Sequence, residues 1–184
     1  MPSKKSLRAK ILKILGSQSP EALKKRSLRI KKKLFSLAVF KKAGCVCFYV
    51  SLPLEVDTTV MIDKALRMGK RVIVPRTNLE NKELSLYEIK NRTEDLKKGA
   101  YGVMEPRAQK TRFVDLDEVD CLIVPGVVFD KRNNRIGRGK GYYDRFLKKF
   151  DRKAVKIGLA FSFQVIPRVP VEAHDEMVDQ VLTD

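Results

Sequence analysis

Apolar residues recur along this chain with two spacings. Leu7, Ile11, Ile14 and Leu15 fall three and four apart, giving one helical face behind a capping residue, Ser3, and before Gly16. Ser19-Pro20-Glu21 has the order of a cap followed by a first-turn proline. Leu23, Ile30, Leu34, Leu37 and Ala38 then give a second helix its buried side, as far as about Gly44. There the pattern changes. Residues 45–50 form an unbroken apolar run, as expected of a strand covered on both faces. A helix starting at Thr58 or Thr59 and stopped by Gly69 follows, then a strand over 71–75. Such a strand–helix–strand order predicts a parallel sheet with a right-handed crossover.

The second half is read the same way. Residues 79–89 suggest a polar turn and an edge hairpin, and Thr93 is expected to cap a short helical turn ending at Gly99. A loop through Gly102 and Pro106 leads to Asp115. Further strands are expected over 121–124, 127–129, 154–161 and 178–182, with a helix over 142–150. The expectation is a single three-layer α/β/α domain over 1–184, Rossmann-like, with a mainly parallel open sheet and the helical segment of about 1–43 packed on it. Ligands of such sheets sit at the carboxyl ends of strands, so the loops 51–57, 125–141 and the segment after 161 should converge.

One of those loops carries chemistry in its composition. Behind the strand at 121–124, a polar turn (131–134) gives Asn residues the place of a glycine at positive φ. Arg135-Ile136-Gly137-Arg138-Gly139-Lys140-Gly141 then runs into the helix. Three glycines two apart let backbone N–H groups close around oxygens, and a helix start adds positive potential. Arg135, Arg138 and Lys140 add charge. The loop suits a phosphate, although it matches neither G-x-G-x-x-G (position 142 is Tyr) nor the P-loop (Gly141 follows Lys140). Asp144, in the first helical turn, suits a Mg²⁺ held beside phosphate. The bland alternative for the block is a basic surface turn.

Charge adds a competing reading. The net charge is +17, yet residues 1–42 hold fourteen Lys and Arg against one acid, Glu21, while the other 142 residues hold 25 against 21. A basic N-terminal segment admits a nucleic-acid-binding protein on an α/β scaffold, without catalysis. Against it, no aromatic residue interleaves the basic ones before Phe35. High Lys content is also a habit of heat-adapted proteins. Three cysteines, Cys45, Cys47 and Cys121, argue against a disulfide framework, and with one His a zinc site is not expected. No apolar run approaches the roughly 20 residues that span a bilayer, and the N-terminus lacks a signal-peptide core. The expected compartment is the reducing cytoplasm.

Six segments occur together in order: KKSLR (4–8), YVSLPLEVDT (49–58), GKRVIVPR (69–76), VPGVVFD (124–130), GRGKGYYDRFL (137–147) and VPVEAHDEMVD (169–179). Over nearly the whole chain they resemble the 5-formyltetrahydrofolate cyclo-ligase (methenyltetrahydrofolate synthetase) family. The resemblance implies a three-layer α/β fold that uses ATP and Mg²⁺ to convert 5-formyltetrahydrofolate to 5,10-methenyltetrahydrofolate, releasing ADP and phosphate. By position it implies ATP contacts from Lys4, Lys5, Arg8, Arg135, Gly137, Arg138, Gly139, Lys140, Gly141, Tyr142 and Tyr143. Lys140 and Arg138 would act on the transferring phosphoryl group, Val50, Glu55 and Tyr142 would meet the folate, and Asp144 and Asp175 the metal. Two departures stand out: Asn133-Asn134 replaces the usual turn glycine, and Ile136 stands where Leu is common. Partners are then a folate and a nucleotide, with no nucleic acid or membrane, and a monomer is expected.

The implied chemistry fits these residue types. An amide's formyl oxygen leaves poorly, and phosphoryl transfer to it makes a good leaving group. The neighbouring folate amine then attacks the carbon, the ring closes and phosphate departs. Positioning and charge neutralisation carry such a reaction, without a protein nucleophile. His174 is expected to shape its loop through a hydrogen bond, and the three cysteines to pack in strands.

Overall fold

The computed structural model describes residues 2–150 and 154–184. Helices α1 (Lys4–Gly16) and α2 (Pro20–Ser36) start where expected, because Ser3 Oγ accepts from Ser6 N–H and Ser19 Oγ from Ala22 N–H, each at 3.2 Å. The second helix ends early. Leu37 turns extended (ψ 133°), and a separate turn, α3 (Ala38–Lys42), carries Phe40 into the core.

The order continues as β1 (Cys45–Cys47), α4 (Thr59–Arg67), β2 (Arg71–Asn78), β3 (Glu83–Ile89), α5 (Arg92–Asp95), β4 (Leu96–Lys98), β5 (Met104–Pro106) and β6 (Arg112–Val114). Then come β7 (Cys121–Val124), β8 (Val128–Asp130), β9 (Arg135–Ile136), α6 (Tyr142–Lys149), β10 (Val155–Leu159), β11 (Val165–Ile166) and β12 (Gln180–Leu182). The main sheet runs β12-β10-β7-β1-β2-β3-β6, and its first five strands are parallel. A small sheet, β11-β8-β9, and a hairpin, β4-β5, flank it.

The mainly parallel sheet agrees with expectation; three local details do not. First, β3 is not the edge, since β6 pairs outside it. Second, the strand at 45–50 leaves the ladder after Cys47. The buried Thr58 explains this: its Oγ1 donates to Tyr49 O (2.6 Å) and accepts from Ser51 N–H (3.1 Å), taking groups that a ladder would use. Third, Asn91, not Thr93, caps α5, its Oδ1 accepting from the N–H groups of Thr93 and Glu94. The chain after Asp95 is then the β4-β5 hairpin instead of helix.

Alternation on the central strand builds the layers. Cys121 and Ile123 of β7 face a core with Leu7, Ile11 and Leu15 of α1 and Ile30 and Leu34 of α2. Leu122 and Val124 face the opposite core, with Phe146, Leu147 and Phe150 from α6 and its C-terminal end. Burying each such side chain contributes about 1.5–3 kcal/mol, so both helical layers are held firmly on the sheet. The loops at the carboxyl ends of β1 and β7 thereby open on one side.

Candidate active site

The β8-β9 hairpin sets the site. Asn133 takes φ +65° at its turn, the role expected of Asn in place of glycine. Asp130, 1% exposed, accepts from the N–H groups of Arg132 (2.9 Å), Asn134 (3.0 Å) and Val169 (3.1 Å). Burial alone would raise its carboxyl; these donors outweigh that and hold it below its ordinary value. The turn is thus fixed, and the C-terminal segment is tied to it.

With the turn fixed, β9 aims Arg135 inward. Its side chain is 2% exposed, and its Nη2 lies 2.5 Å from Asp144 Oδ1. The guanidinium sits 5.9 Å from the Tyr143 ring centroid, and Nε has no hydrogen-bond partner among the described residues. Burial pulls the guanidinium below its ordinary range, opposed by Asp144. Gly137 leaves this group room, since a Cβ there would lie 2.8 Å from Arg135 Nη1. Gly139 (φ +94°) and Gly141 (φ +68°) need their left-handed conformations to bring the loop onto α6.

A cavity of about 390 Å³ opens beside the loop. Its lining is polar along Arg135, Gly137 to Gly141 and Asp144, and apolar along Tyr49, Val50, Pro75, Leu84, Tyr101 and Val103, the two stretches meeting where Tyr101 touches Tyr142. Glu55 joins them: its Oε1 pairs with Arg138 Nε at 2.9 Å, and its Oε2 accepts from Leu52 N–H at 2.9 Å. At the rim, Lys140 Nζ lies 5.7 Å from the Tyr101 ring centroid, and the Tyr101 and Tyr142 rings meet edge to face at 6.3 Å. Arg145 braces the loop from below, donating to Lys82 O (2.9 Å) and Lys140 O (3.3 Å).

The structure brings Val50, Glu55, Arg135, Gly137, Arg138, Gly139, Lys140, Gly141, Tyr142, Tyr143 and Asp144 to this one cavity. Lys4, Lys5, Arg8 and Asp175 are not among its lining. Arg8 braces the loop from outside, its Nε donating to Gly137 O at 2.8 Å with the guanidinium against Gly139. Lys5 is exposed. Lys4 Nζ binds both Asp175 oxygens, at 2.8 and 2.5 Å, and Glu172 at 3.1 Å. Burial would raise the Asp175 carboxyl, but the Lys4 ammonium holds it below its ordinary value. His174 is 70% exposed and 3.5 Å from Glu172. The segment after 161 does not reach the cavity wall; Gln164 instead donates to Gly126 O and Val127 O behind it.

Beyond Val50, the apolar end was not legible in the sequence. Pro75, Thr77 and Leu84 arrive because the β2-β3 ladder runs as far as Asn78↔Glu83. Tyr101, at φ +54° and 59% exposed, stands on the turn between β4 and β5. Its one signal is an aromatic residue set between Gly99 and Gly102.

A cavity lined by a phosphate-type loop and by an apolar slot can now be set against known proteins. The pattern of the 5-formyltetrahydrofolate cyclo-ligase family matches residues 1–184. The chain belongs to that family. Membership makes this cyclo-ligase relative a ligase of folate one-carbon metabolism. The mouse 5-formyltetrahydrofolate cyclo-ligase is 31% identical over 188 residues, covering 98% of this chain and 93% of that one. The structure of Aquifex aeolicus 5,10-methenyltetrahydrofolate synthetase superposes with a TM-score of 0.86 at 39% identity, covering 98% of this chain and 89% of that one. A Mycoplasma pneumoniae synthetase, 23% identical and covering 98% of each chain, shares the fold with a TM-score of 0.79. In the chain's own terms, then, the basic N-terminal helices belong to an enzyme.

Proposed function

We propose that this protein converts 5-formyltetrahydrofolate to 5,10-methenyltetrahydrofolate at the cavity, with ATP and Mg²⁺. The observation that carries the reading is the ion pair of Arg138 and Glu55, which joins the glycine loop to the apolar slot. A folate in the slot and a nucleotide on the loop would meet there.

The residues fit a nucleotide's phosphates. Loop N–H groups freed by the glycines and Lys140 are donors without acidic competitors at those atoms. Fit to Mg²⁺ rests on Asp144, whose Oδ1 is held by Arg135 while Oδ2 makes no hydrogen bond among the described residues. One carboxylate oxygen suffices for an ion bound mainly through phosphate and water. Mg²⁺ would supply charge neutralisation on the phosphate oxygens. Lys4 and Asp175 neutralise one another, so either reaches a ligand only by releasing its partner.

In the reaction, Lys140 and Arg138 offset charge as a phosphoryl group moves onto the formyl oxygen. The walls from Tyr49, Val50 and Val103 exclude water, which would otherwise compete with the folate amine for the activated carbon. The amine attacks, the ring closes and phosphate leaves; the chain itself forms no covalent bond. The test is growth of methenyl-folate absorbance from 5-formyltetrahydrofolate with and without MgATP. Growth only with MgATP is expected, and no growth in its presence overturns the proposal.

A further inference from the structure

Glu105 is a buried acid that the reaction above does not use. It stands on β5, 5% exposed, at the apolar end of the cavity with Thr77, Tyr101 and Val103. Thr77 N–H donates to its Oε1 at 3.2 Å. Among the described residues it accepts no other hydrogen bond and pairs with no Lys, Arg or His. The fold makes space for it: a Cβ on Gly99 would overlap the Glu105 carboxyl group. A buried acid with one amide donor is unfavourable unless something else hydrogen-bonds it. Glu55 differs, because each of its oxygens already has a donor, from Arg138 and from Leu52 N–H.

We propose that Glu105 reads the N–H edge of the folate's pterin ring, accepting from the exocyclic 2-amino group and the ring N3–H. This deepens, and rests on, the cyclo-ligase reading above. Two adjacent N–H donors match the two oxygens of one carboxyl group, and Oε1 keeps a lone pair for Thr77. The surrounding Pro75, Leu84 and Val103 keep the pair dry, which strengthens it and selects against flat ligands lacking those donors. Glu55 is left to hold Arg138 where the folate meets the loop. Glu105 is therefore a specificity-determining residue of the folate side of the cavity.

Calorimetric titration tests this with two probes, 5-formyltetrahydrofolate and its 2-desamino analogue, on the wild type and Glu105→Gln, with ATP titrated alongside. The wild type is expected to prefer the folate by about 10- to 100-fold, the range for a hydrogen bond to a charged group. Glu105→Gln is expected to lose that preference and a similar factor of folate affinity while binding ATP as before. Unchanged folate affinity in Glu105→Gln, or a preserved preference, overturns the assignment. Should the variant lose ATP binding through misfolding, the wild type decides: equal affinity for the two probes overturns it. A wild type that binds neither probe overturns the cyclo-ligase reading itself, and the proposal with it.

Discussion

Asp144→Asn removes one charge and almost no volume, and the structure fixes what that does. Asp144 Oδ1 is 2.5 Å from Arg135 Nη2, with side-chain exposures of 20% and 2%. Arg135 has little else: Pro125 O at 3.5 Å and the face of Tyr143. Removing one partner of a buried pair costs roughly 3–5 kcal/mol, because the remaining charge stays desolvated. Water reaches Asp144, so the expected loss lies at the low end, ~3 kcal/mol. At about 2–4 °C per kcal/mol for a chain of this size, melting should fall by roughly 6–12 °C. A helix-start role alone is worth roughly 0.3–1 kcal/mol, at most about 4 °C. A metal role alone leaves melting of the ligand-free protein unchanged and raises the Mg²⁺ requirement. Thermal melting without nucleotide or metal, with a parallel Mg²⁺ titration of turnover, separates the three. The expected result is both a 6–12 °C fall and a higher Mg²⁺ requirement. A fall under about 4 °C refutes the ion-pair argument. Adding Arg135→Met to the variant should recover much of the loss, since the stranded charge is gone.

Three further outcomes are expected. Lys140→Ala lowers turnover by ~10² or more and weakens MgATP use, as for the loss of one phosphate stabiliser; unchanged kinetics would remove Lys140 from the phosphates. Glu55→Gln raises the folate KM while moving the ATP KM less than about fivefold, because Arg138 is 44% exposed and such a pair is worth at most about 1 kcal/mol; the opposite pattern exchanges the two ends of the cavity. The protein loses stability as pH rises from about 9, because burial pushes the Cys45 thiol up from 9.0 to about 11. An acid held protonated in the folded state stabilises it below the unfolded value, and that contribution is lost as pH rises to the folded one. Melting of Cys45→Ala relative to wild type across pH 7 to 11 checks this: a difference independent of pH would refute it.

The strands of the parallel sheet were legible because a strand covered on both faces must be apolar throughout, and residues 45–50 and 121–124 say so in residue type alone. The glycine loop was legible for a related reason: what it offers is backbone, and only glycines at positions such as 139 and 141 free it. The apolar end of the cavity had no such local signature. It depends on how far β2 and β3 stay paired, a property of two strands together, and on Tyr101 holding a left-handed conformation that its residue type disfavours.

Charge was the least legible quantity, and for a reason that bears on function. Spacing in the sequence places Arg135 and Arg138 in a phosphate-type loop, and the family resemblance adds Lys4; neither shows which are already neutralised. In the fold Arg135 meets Asp144, Arg138 meets Glu55, and Lys4 meets Asp175 across 171 positions of sequence. Each of these three cations thus holds an acid read as a metal or folate ligand. Such pairing keeps cations in place without leaving them desolvated and alone. It also means that a ligand must supply both signs to displace the pairs at little cost, which a phosphate chain carrying its own divalent cation does. Among the glycine loop's cations Lys140, which has a tyrosine ring beside it and no acid among the described residues, is the exception, and this makes it the one most readily offered to a transferring phosphoryl group.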